Sequence, residues 1–409
     1  MVKEHLPEKA LQDFESKFVI PRNEESPQGK ERFLVPRNDK SCPEGLRIRK
    51  WPSEPQICSQ IPEEPIKHLW PAITDLMATA GFVGDFRLSS LTGGANNRVF
   101  RVDVNDSQLL LKVYFQHTND PRDRLGTEFS FSTFAWQKGI RSQPQPLACD
   151  PQNRLGLYEF VDGRQLLPHE VTEGMVQQAL DFYRELNRHK QLPEARLLPV
   201  ASEACFTIAD HLRCVDRRLQ RLQQGVEERT RIDREAAHFI RHELADSWDN
   251  IRHSVHLALG LSPGINELGL ALDSEITQED RCLSPSDFGF HNALLPSDGQ
   301  LRFIDFEYAG WDDPAKMVCD FFCQPALPVS IDYLDMFAET VVSELSQPEM
   351  HLQRIALLLP VHQIKWCCIL LNEFLPVGRE RRRFAGASVD LEEQKSEQLR
   401  KARLGYKRS

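Results

Sequence analysis

The sequence lacks the features that identify a membrane-spanning or exported protein. Its most apolar stretch near the C-terminus, residues 355–362, is interrupted by Pro360 and is too short to cross a bilayer. The N-terminus is charged from Lys3 onward and therefore has no signal-peptide pattern. We expect a soluble protein with no membrane span.

The cysteines form no recognisable metal-binding pattern, and positive charge is clustered only locally, within residues 379–383 and 395–408. The ten cysteines form only two close pairs, at positions 319 and 323 and at positions 367 and 368, and neither pair has the spacing of a zinc site. We therefore expect reduced thiols in a cytoplasmic protein. The formal net charge of −10 gives no indication of a nucleic-acid partner.

Residues 1–65 differ in composition from the rest of the chain. They hold nine of the 26 prolines, and a short repeat occurs twice, as FVIPRNEES at 18–26 and as FLVPRNDKS at 33–41. Low hydrophobicity with many prolines predicts an extended or disordered arm. The alternative is that the two repeat units dock as extended strands on the body of the protein or on a protein partner.

The remaining sequence predicts an α+β fold in which a β-rich lobe, residues 66–162, precedes a helical lobe, residues 163–409. The first lobe begins with a helical pattern over residues 66–81. Strand-like runs follow at 86–91, 98–104, 108–115 and 155–161, with a helix at 121–138. Helical periodicity dominates from residue 175 onward.

Three polar residues in the second lobe have the spacing of a phosphoryl-transfer site. Asp287 is followed by Asn292 and then, after a turn and a strand-like run, by Asp305. Kinase-type transfer needs an Asp that orients the acceptor hydroxyl, and an Asn and an Asp that hold Mg²⁺ on the ATP phosphates. We therefore predict Asp287 as the catalytic base and Asn292 and Asp305 as magnesium ligands.

This segment resembles the catalytic and metal-binding loops of the aminoglycoside phosphotransferase and choline kinase superfamily, which implies a protein-kinase-like fold of two lobes. The family pattern is His-Gly-Asp-x-x-x-x-Asn followed by Asp-x-Glu. The run from Asp305 to Glu307 matches the second part, whereas Pro285 and Ser286 stand where His and Gly are expected. Because the family's His mainly supports the loop, its replacement bears on turnover more than on nucleotide binding.

Two segments of the first lobe are expected to contact the nucleotide largely through the backbone. Glycines in the loop after the first strand let N–H groups approach phosphate oxygens. The predicted phosphate contacts in that loop are Gly93, Gly94, Asn96 and Asn97. The resemblance implies a second segment, the hinge between the lobes, where backbone groups would bond the adenine edge around Glu159, Phe160 and Val161.

Lys112 lies in an apolar strand, where burial of an unpaired ammonium group would be costly. Glu128 follows sixteen residues later in the predicted helix. A Lys–Glu pair that positions the α- and β-phosphates is part of the kinase mechanism. We therefore predict that Lys112 and Glu128 form this pair.

Together these motifs predict an ATP- and Mg²⁺-dependent phosphotransferase that acts on a hydroxyl group of a small molecule, such as a sugar, an amino alcohol or an aminoglycoside-like compound. A protein kinase is disfavoured because only about fifteen residues separate Asp305 from Asp320, which leaves no room for a long activation segment. The acceptor stays open. Acidic residues (Glu307, Asp312, Asp313) would suit an aminated acceptor, whereas the arginines within residues 379–383 would suit a phosphorylated or carboxylated one.

A second hypothesis comes from another functional class. The chain would be a nucleotide-binding pseudoenzyme or scaffold that uses its kinase-like body and its proline-rich arm to bind a protein partner. Pro285 in place of the family's His favours this reading. The presence of Asp287, Asn292 and Asp305 together argues against it.

Overall fold

The computed structural model describes residues 66–91, 97–116, 120, 122–261, 269–376, 384 and 391–406. All of them belong to the unit Pro55–Ser409. The expected arm, residues 1–65, lies outside the described residues, as do Gly93, Gly94, Asn96 and the arginines within residues 379–383.

The first lobe is built on a five-stranded antiparallel sheet with the strand order β1-β2-β3-β5-β4. Its strands are β1 (Phe86–Leu91), β2 (Arg98–Val104), β3 (Ser107–Val113), β4 (Pro146–Asp150) and β5 (Leu155–Glu159). A two-residue turn joins β2 to β3, and Asn105 adopts the left-handed conformation (φ 51°) that such hairpin turns favour. Strand β4 was not predicted, because its sequence PLACD begins with proline and ends with aspartate.

Two helices flank this sheet. Helix α1 (Trp70–Thr79) packs Ile73, Leu76 and Met77 into the apolar core that the sheet forms. Helix α2 (Arg124–Gln137) begins after Asp123, whose carboxylate accepts a hydrogen bond of 2.9 Å from the Gly126 amide and thereby caps the helix.

The second lobe is mainly helical, so the predicted α+β arrangement is confirmed. Its helices are α3 (Glu173–Asn187), α4 (Ile208–Gly225), α5 (Arg231–His238), α6 (Ala245–Leu261), α7 (Pro314–Cys323), α8 (Leu334–Val342), α9 (Pro348–Leu371) and α10 (Leu391–Tyr406). A π-helical segment, Phe239–Leu244, joins α5 to α6. Thr207 and Thr230 cap α4 and α5 in reciprocal capping boxes with Asp210 and Asp233.

The prediction that Pro360 interrupts the apolar stretch is wrong. Pro360 lies inside α9, a continuous helix that packs against α4, α7 and α10, and this packing compensates for the backbone hydrogen bond that proline cannot make. The run Pro348–Phe374 is long and apolar enough to cross a membrane, since an 18-residue window within it has a mean hydropathy of 1.5. More than half of this window, 56%, is buried inside the protein, as in the core helix of a globular domain.

Short strands between the helices position the loops that carry the predicted site. They are β6 (Gly163–Gln165), β7 (Cys282–Ser284), β8 (Ala293–Pro296), β9 (Arg302–Phe303) and β10 (Gly310–Asp312). Strand β8 lies between β6 and β9, and β7 pairs with β10. Asp287 and Asn292 therefore lie in the loop from β7 to β8, and Asp305 lies in the loop from β9 to β10.

Candidate active site

The loop after β7 turns sharply just before Asp287. Ser286 adopts a left-handed conformation (φ 67°), and the Asp287 amide donates to the Pro285 carbonyl at 2.9 Å. A β-carbon is disfavoured in this conformation, which explains why the related pattern has glycine here. The chain thus makes the turn without glycine, and the Asp287 side chain stays about one-third exposed (32%).

Asn292 links the two carboxylate-bearing loops. Its side-chain Nδ2 donates to the Asp287 carbonyl at 2.9 Å, and its own carbonyl accepts from the amide of Ile304, next to Asp305, at 2.9 Å. The structure therefore brings the three predicted residues into one neighbourhood. Within the part of the chain that the structure describes, the Asn292 carboxamide oxygen accepts no hydrogen bond, so it is available to a cation.

His291 contacts the predicted base directly. Its Nε2 lies 3.2 Å from Asp287 Oδ1, and its Nδ1 is buried with no hydrogen-bond partner among the described residues. Gly289 makes room for this ring, because a β-carbon there would lie 2.8 Å from His291 Nδ1. Sequence reasoning assigned His291 no role, and the spacing of four residues from Asp287 was its only signal.

Lys112 joins the two lobes through carboxylates. On β3 it is buried, and its Nζ donates to both Glu128 oxygens, at 2.7 and 2.9 Å. The same Nζ donates to Asp305 Oδ1 at 2.7 Å. The predicted Lys–Glu neighbours are therefore in contact, and the predicted metal ligand Asp305 shares their ammonium group.

Two carboxylates that share one ammonium group leave one negative charge in excess. Burial would lower the pKa of Lys112, but Asp305 and Glu128 outweigh it and hold that pKa well above its usual value. Burial raises the pKa of Glu128 to about 7 against the pull of Lys112, and Asp305 adds to the rise. Asp305 itself has a left-handed backbone (φ 69°), a conformation that costs energy in a residue with a side chain.

Two tyrosines extend this group of contacts into the sheet. The Tyr114 hydroxyl donates to Glu128 Oε2 at 2.7 Å and lies 2.8 Å from the Tyr158 hydroxyl. Tyr114 was missed from the sequence, although its position two residues after Lys112 places both side chains on one face of the strand. Tyr114 thus orients the Glu128 carboxylate toward Lys112, and Tyr158 holds the Tyr114 hydroxyl in place.

Glu307, the last residue of the Asp-x-Glu run, is enclosed by partners from the first lobe. Asn97 Nδ2 donates to its Oε2 at 2.6 Å, and an Arg124 guanidinium nitrogen donates to its Oε1 at 2.6 Å. Asn97 also accepts from the Phe115 amide at 3.1 Å. The side chain of Asn97, which was predicted as a phosphate contact, therefore serves to hold the two lobes together.

The beginning of β2, which follows the predicted phosphate-binding loop, contacts a residue from far along the chain. The Phe384 carbonyl accepts from Arg98 Nε at 2.6 Å, and the Arg98 guanidinium lies over the Phe384 ring at 4.6 Å. The Phe384 and Phe115 rings are 5.3 Å apart. Phe384 thus fixes the beginning of β2, immediately after the segment that contains Gly93 and Gly94.

At the predicted hinge, Glu159 is tied to the neighbouring strand. Its amide donates to the Gln145 carbonyl at 2.8 Å, and its carboxylate accepts from the Gln145 amide at 3.0 Å. The Glu159 amide is therefore already engaged, whereas Phe160 and Val161 lie beyond the end of β5 and are half-buried.

The acidic residues that would suit an aminated acceptor are buried in ion pairs. Asp312 is fully buried and pairs with Lys316, and Asp313 is fully buried and pairs with Arg354 at 2.7 Å. Glu307 is 1% exposed. These three carboxylates therefore present no negative charge to a ligand.

A magnesium ion fits the donor set of this site. Among the described residues no group of three or more His, Cys, Asp or Glu could hold a metal ion by itself. One partly exposed carboxylate (Asp305) and one free carboxamide oxygen (Asn292) match Mg²⁺, which prefers oxygen ligands and is usually bound by few protein groups together with substrate phosphates.

Comparison with known proteins gives one family and one fold. A model of the phosphotransferase enzyme family, abbreviated APH, matches residues 87–337, which is more than half of the chain. An ethanolamine kinase of Plasmodium vivax is 14% identical with a TM-score of 0.51, over 83% of this chain and 89% of that one. A choline/ethanolamine kinase family protein of Mesorhizobium loti is 15% identical with a TM-score of 0.50, over 82% and 93%.

These structural similarities confirm the kinase-like fold with a sheet-rich lobe and a helical lobe. At such low identity they show the fold alone. No curated protein matches the sequence.

Proposed function

Because the chain belongs to the phosphotransferase enzyme family, we propose that it transfers the γ-phosphoryl group of Mg·ATP to a hydroxyl group of a small molecule. Family membership supports a small-molecule phosphotransferase. The choice of ATP, magnesium and a hydroxyl acceptor is our inference from the residues of the site.

The observation that carries the proposal is the contact of Lys112 with both Glu128 and Asp305. It brings the predicted phosphate-binding cation of one lobe within 2.7 Å of the predicted metal ligand of the other. A nucleotide whose phosphates lie beside Lys112 would therefore also lie beside Asp305. That is the arrangement that kinase-type transfer requires.

In this mechanism Lys112 binds phosphate oxygens while Glu128 holds the ammonium group in place. Asp305 and Asn292 would hold Mg²⁺, which supplies positive charge to the phosphates when it is bound. Asp287 orients the acceptor hydroxyl and accepts its proton as the new phosphate ester bond forms. The γ-phosphoryl group leaves ADP, so the products are the phosphorylated acceptor and ADP.

The first experiment is calorimetric titration of ATP, with and without Mg²⁺, into the wild type, Asp305→Asn and Asp287→Asn. We expect binding that depends on Mg²⁺ and weakens at least about tenfold in Asp305→Asn, a loss of about 1.4 kcal/mol. Asp287→Asn should bind Mg·ATP as the wild type does and lose phosphoryl transfer, because the base contacts the acceptor rather than the nucleotide.

Asp298→Asn is the matched control, since Asp298 lies on the nearby hairpin and its side chain is half-exposed in a pair with Arg302. It should behave as the wild type does. Binding that ignores both Mg²⁺ and Asp305→Asn would contradict the proposal. Equal loss of nucleotide binding in Asp287→Asn would show that Asp287 supports the loop instead of acting as the base.

The second candidate is a nucleotide-binding pseudoenzyme or scaffold, favoured by Pro285 and Ser286 in place of His and Gly. Such a protein would bind Mg·ATP and transfer no phosphoryl group to any acceptor. Restoring the family residues at both positions, Pro285→His with Ser286→Gly, separates the two candidates. A large gain of transfer from an inactive wild type would favour the pseudoenzyme.

We also place the protein in a reducing compartment, the cytoplasm. All eight described cysteines are free thiols, and most of them are buried. Oxidising compartments favour disulfides in exported proteins, and this chain forms none among its described residues. Thiol titration of the purified protein without reductant tests this placement.

A further inference from the structure

Helix α4 carries a positively charged groove on its surface. The groove has a volume of about 430 Å³ and is lined by Arg217, Gln220, Arg221, Gln224 and Gly225, which we call the α4 groove. Among the described residues its lining has two guanidinium groups, two carboxamides and no carboxylate. The groove is wide open to solvent, and its volume is enough for one charged end of a small molecule.

The two arginines of the α4 groove have no acidic partner among the described residues. Arg221 donates only to the Asn372 side-chain oxygen, at 2.9 Å, and Arg217 makes no ion pair within the described chain. On the same helix, Arg213 pairs with Asp210 and Arg218 pairs with Glu203. The uncompensated charge is therefore confined to the groove.

Two contacts place this part of α4 near the Asp-x-Glu run. Arg218, three residues before Arg221, pairs with Glu203. The amide of the adjacent Ser202 donates to the Tyr308 carbonyl at 3.0 Å. Arg122 belongs to the first lobe and lies over the ring of Tyr308 at 5.3 Å, three residues after Asp305. The α4 groove is thus next to the cleft between the lobes, on the side of the Asp-x-Glu run.

Like charges four residues apart on a helix are destabilising, so Arg217 and Arg221 reduce the stability of α4 unless an anion lies between them. Arginine presents a planar fork of donors that matches the oxygens of phosphate and carboxylate groups. The carboxylates that could have attracted an aminated ligand, Asp312 and Asp313, are buried in ion pairs. Of these side chains, the arginines therefore offer an acceptor a free charge, whereas Asp312 and Asp313 do not.

We propose that the α4 groove binds an anionic group, a phosphate or a carboxylate, of the hydroxyl-bearing acceptor, with Arg221 and Arg217 as its main contacts. The proposal rests on the proposed phosphotransferase function and specifies its acceptor class. Phosphate and carboxylate share the same chemistry, two or more oxygens that carry a negative charge, and both are included in the test.

The test is calorimetry on the full chain saturated with Mg·ADP, so that no transfer takes place. The probes are glycerol 3-phosphate and glycerate, which are anionic, with neutral glycerol and cationic ethanolamine as comparisons. We expect at least one anion to bind about tenfold or more tightly than glycerol or ethanolamine. Arg221→Gln should weaken that binding about tenfold, and Arg221→Lys should restore part of it because the charge is kept.

The matched control is Arg213→Gln on the same helix, since Arg213 is exposed and already paired with Asp210. It should bind the anions as the wild type does. All variants should keep the wild-type affinity for Mg·ADP, and Arg221→Gln should melt no lower than the wild type, because it removes one of two like charges on α4. If the wild type does not bind Mg·ADP, the proposed phosphotransferase function itself is contradicted. Nucleotide binding and anion binding are measured separately, so the two failures can be told apart.

Three results would overturn the acceptor assignment while leaving the phosphotransferase proposal intact. They are tighter binding of ethanolamine than of either anion, no binding of either anion by the Mg·ADP-loaded protein, and anion binding that Arg221→Gln does not change.

Discussion

Two clusters of buried charge in this protein differ in their balance. In the cleft, the single cation Lys112 serves two carboxylates, Glu128 and Asp305. In the core of the helical lobe, three aspartates meet three cations. Asp312 pairs with Lys316, Asp313 with Arg354 and Asp320 with Lys365, all of them buried.

Two histidines complete the core cluster without adding charge. His211 lies 3.0 Å from Asp313 and 3.1 Å from His362, which in turn lies 2.9 Å from Asp320. Burial lowers the pKa of His211 to about 3 and also lowers that of His362, so both are neutral. The charges of the core cluster are therefore balanced, because each aspartate is paired with a cation and accepts hydrogen bonds.

This difference in charge balance indicates a stabilising role for the core cluster and a functional role for the cluster in the cleft. A balanced, enclosed cluster has no charge left to offer a ligand, so its role is to fix the helices that it joins. A cluster with an excess carboxylate that is one-third exposed, as Asp305 is (32%), is suited to receive a cation such as Mg²⁺. Substitutions in the core cluster should therefore reduce mainly folding stability, and substitutions in the cleft should reduce mainly nucleotide binding.

The largest effect is expected from Asp320→Asn in the core cluster. It leaves Lys365 without its carboxylate in a buried position, and such a loss typically costs about 3–5 kcal/mol of folding free energy. Urea unfolding of the variant measures it, with the exposed Asp298→Asn as control, for which a change of at most about 0.5 kcal/mol is expected. Equal small effects for both would show that burial does not distinguish the core cluster from the surface.

Lys112→Met in the cleft should weaken nucleotide binding more than it weakens folding. A hydrogen bond to a charged group contributes about 1.5–3 kcal/mol, so the Kd for Mg·ATP should rise about tenfold or more. Glu128 can take up a proton, which limits the cost to folding. Calorimetry and urea unfolding measure the two effects, with Lys138→Met, in a surface pair with Glu194, as control.

A folding loss in Lys112→Met as large as in Asp320→Asn, with unchanged affinity for Mg·ATP, would remove the distinction between the two clusters.

The pH dependence of stability offers a finer comparison. The pKa of Glu128 rises from 4.5 to about 7 on folding, so its contribution is fully present below about pH 4.5 and is lost as the pH rises to about 7. For His211 the pKa falls from 6.5 to about 3, so its contribution is present above about pH 6.5 and is lost as the pH falls. The two trends oppose each other between about pH 4.5 and 6.5.

Glu128→Gln should remove the first trend and leave the second. Relative to the wild type, the unfolding free energy of the variant should then increase by about 1–3 kcal/mol between pH 4.5 and 7. Urea unfolding at several pH values measures this difference. A constant difference across that range would mean that Glu128 keeps its ordinary pKa in the folded protein.

The smallest effect concerns backbone strain in the cleft. Ser286→Gly should stabilise the protein by about 0.5–1 kcal/mol, because glycine tolerates the left-handed conformation at that position. Arg154→Gly is the matched control, since Arg154 has a similar φ of 56° in an exposed turn far from the catalytic loop. If only Arg154→Gly raises the melting temperature, the Ser286 side chain makes contacts that offset its strain.

Local patterns allowed much of this architecture to be predicted from the sequence. Strand β2 largely alternates apolar and polar residues, β3 contains a run of three leucines, and an Asn-Asp turn joins them. The spacing of Lys112 and Glu128 fits a strand followed by a helix. Asp287, Asn292 and Asp305 could be recognised because all three lie within one short stretch of sequence, with a turn and a strand-like run between the last two. The roles of these residues remain predictions until the variants are measured.

The features that sequence analysis missed depend on contacts between distant segments. Asn97 meets Glu307 across 210 positions, and nothing near either residue indicates the other. Pro360 was expected to interrupt its segment, but packing on several sides outweighs the local preference of proline. Asp312 and Asp313 are likewise paired with cations that are recognised as their partners only in the folded structure. The charge of the acceptor could therefore not be predicted from the sequence.

The contact between Arg98 and Phe384 has a consequence for the order in which the protein is made. The two residues are 286 positions apart, and ribosomes add about 5–20 residues per second, so β2 is synthesised roughly 15–60 s before Phe384 exists. During that interval the strand that follows the glycine loop lacks the aromatic support it has in the finished molecule. Strand β2, although translated early, therefore gains this contact only after residue 384 has been added to the chain.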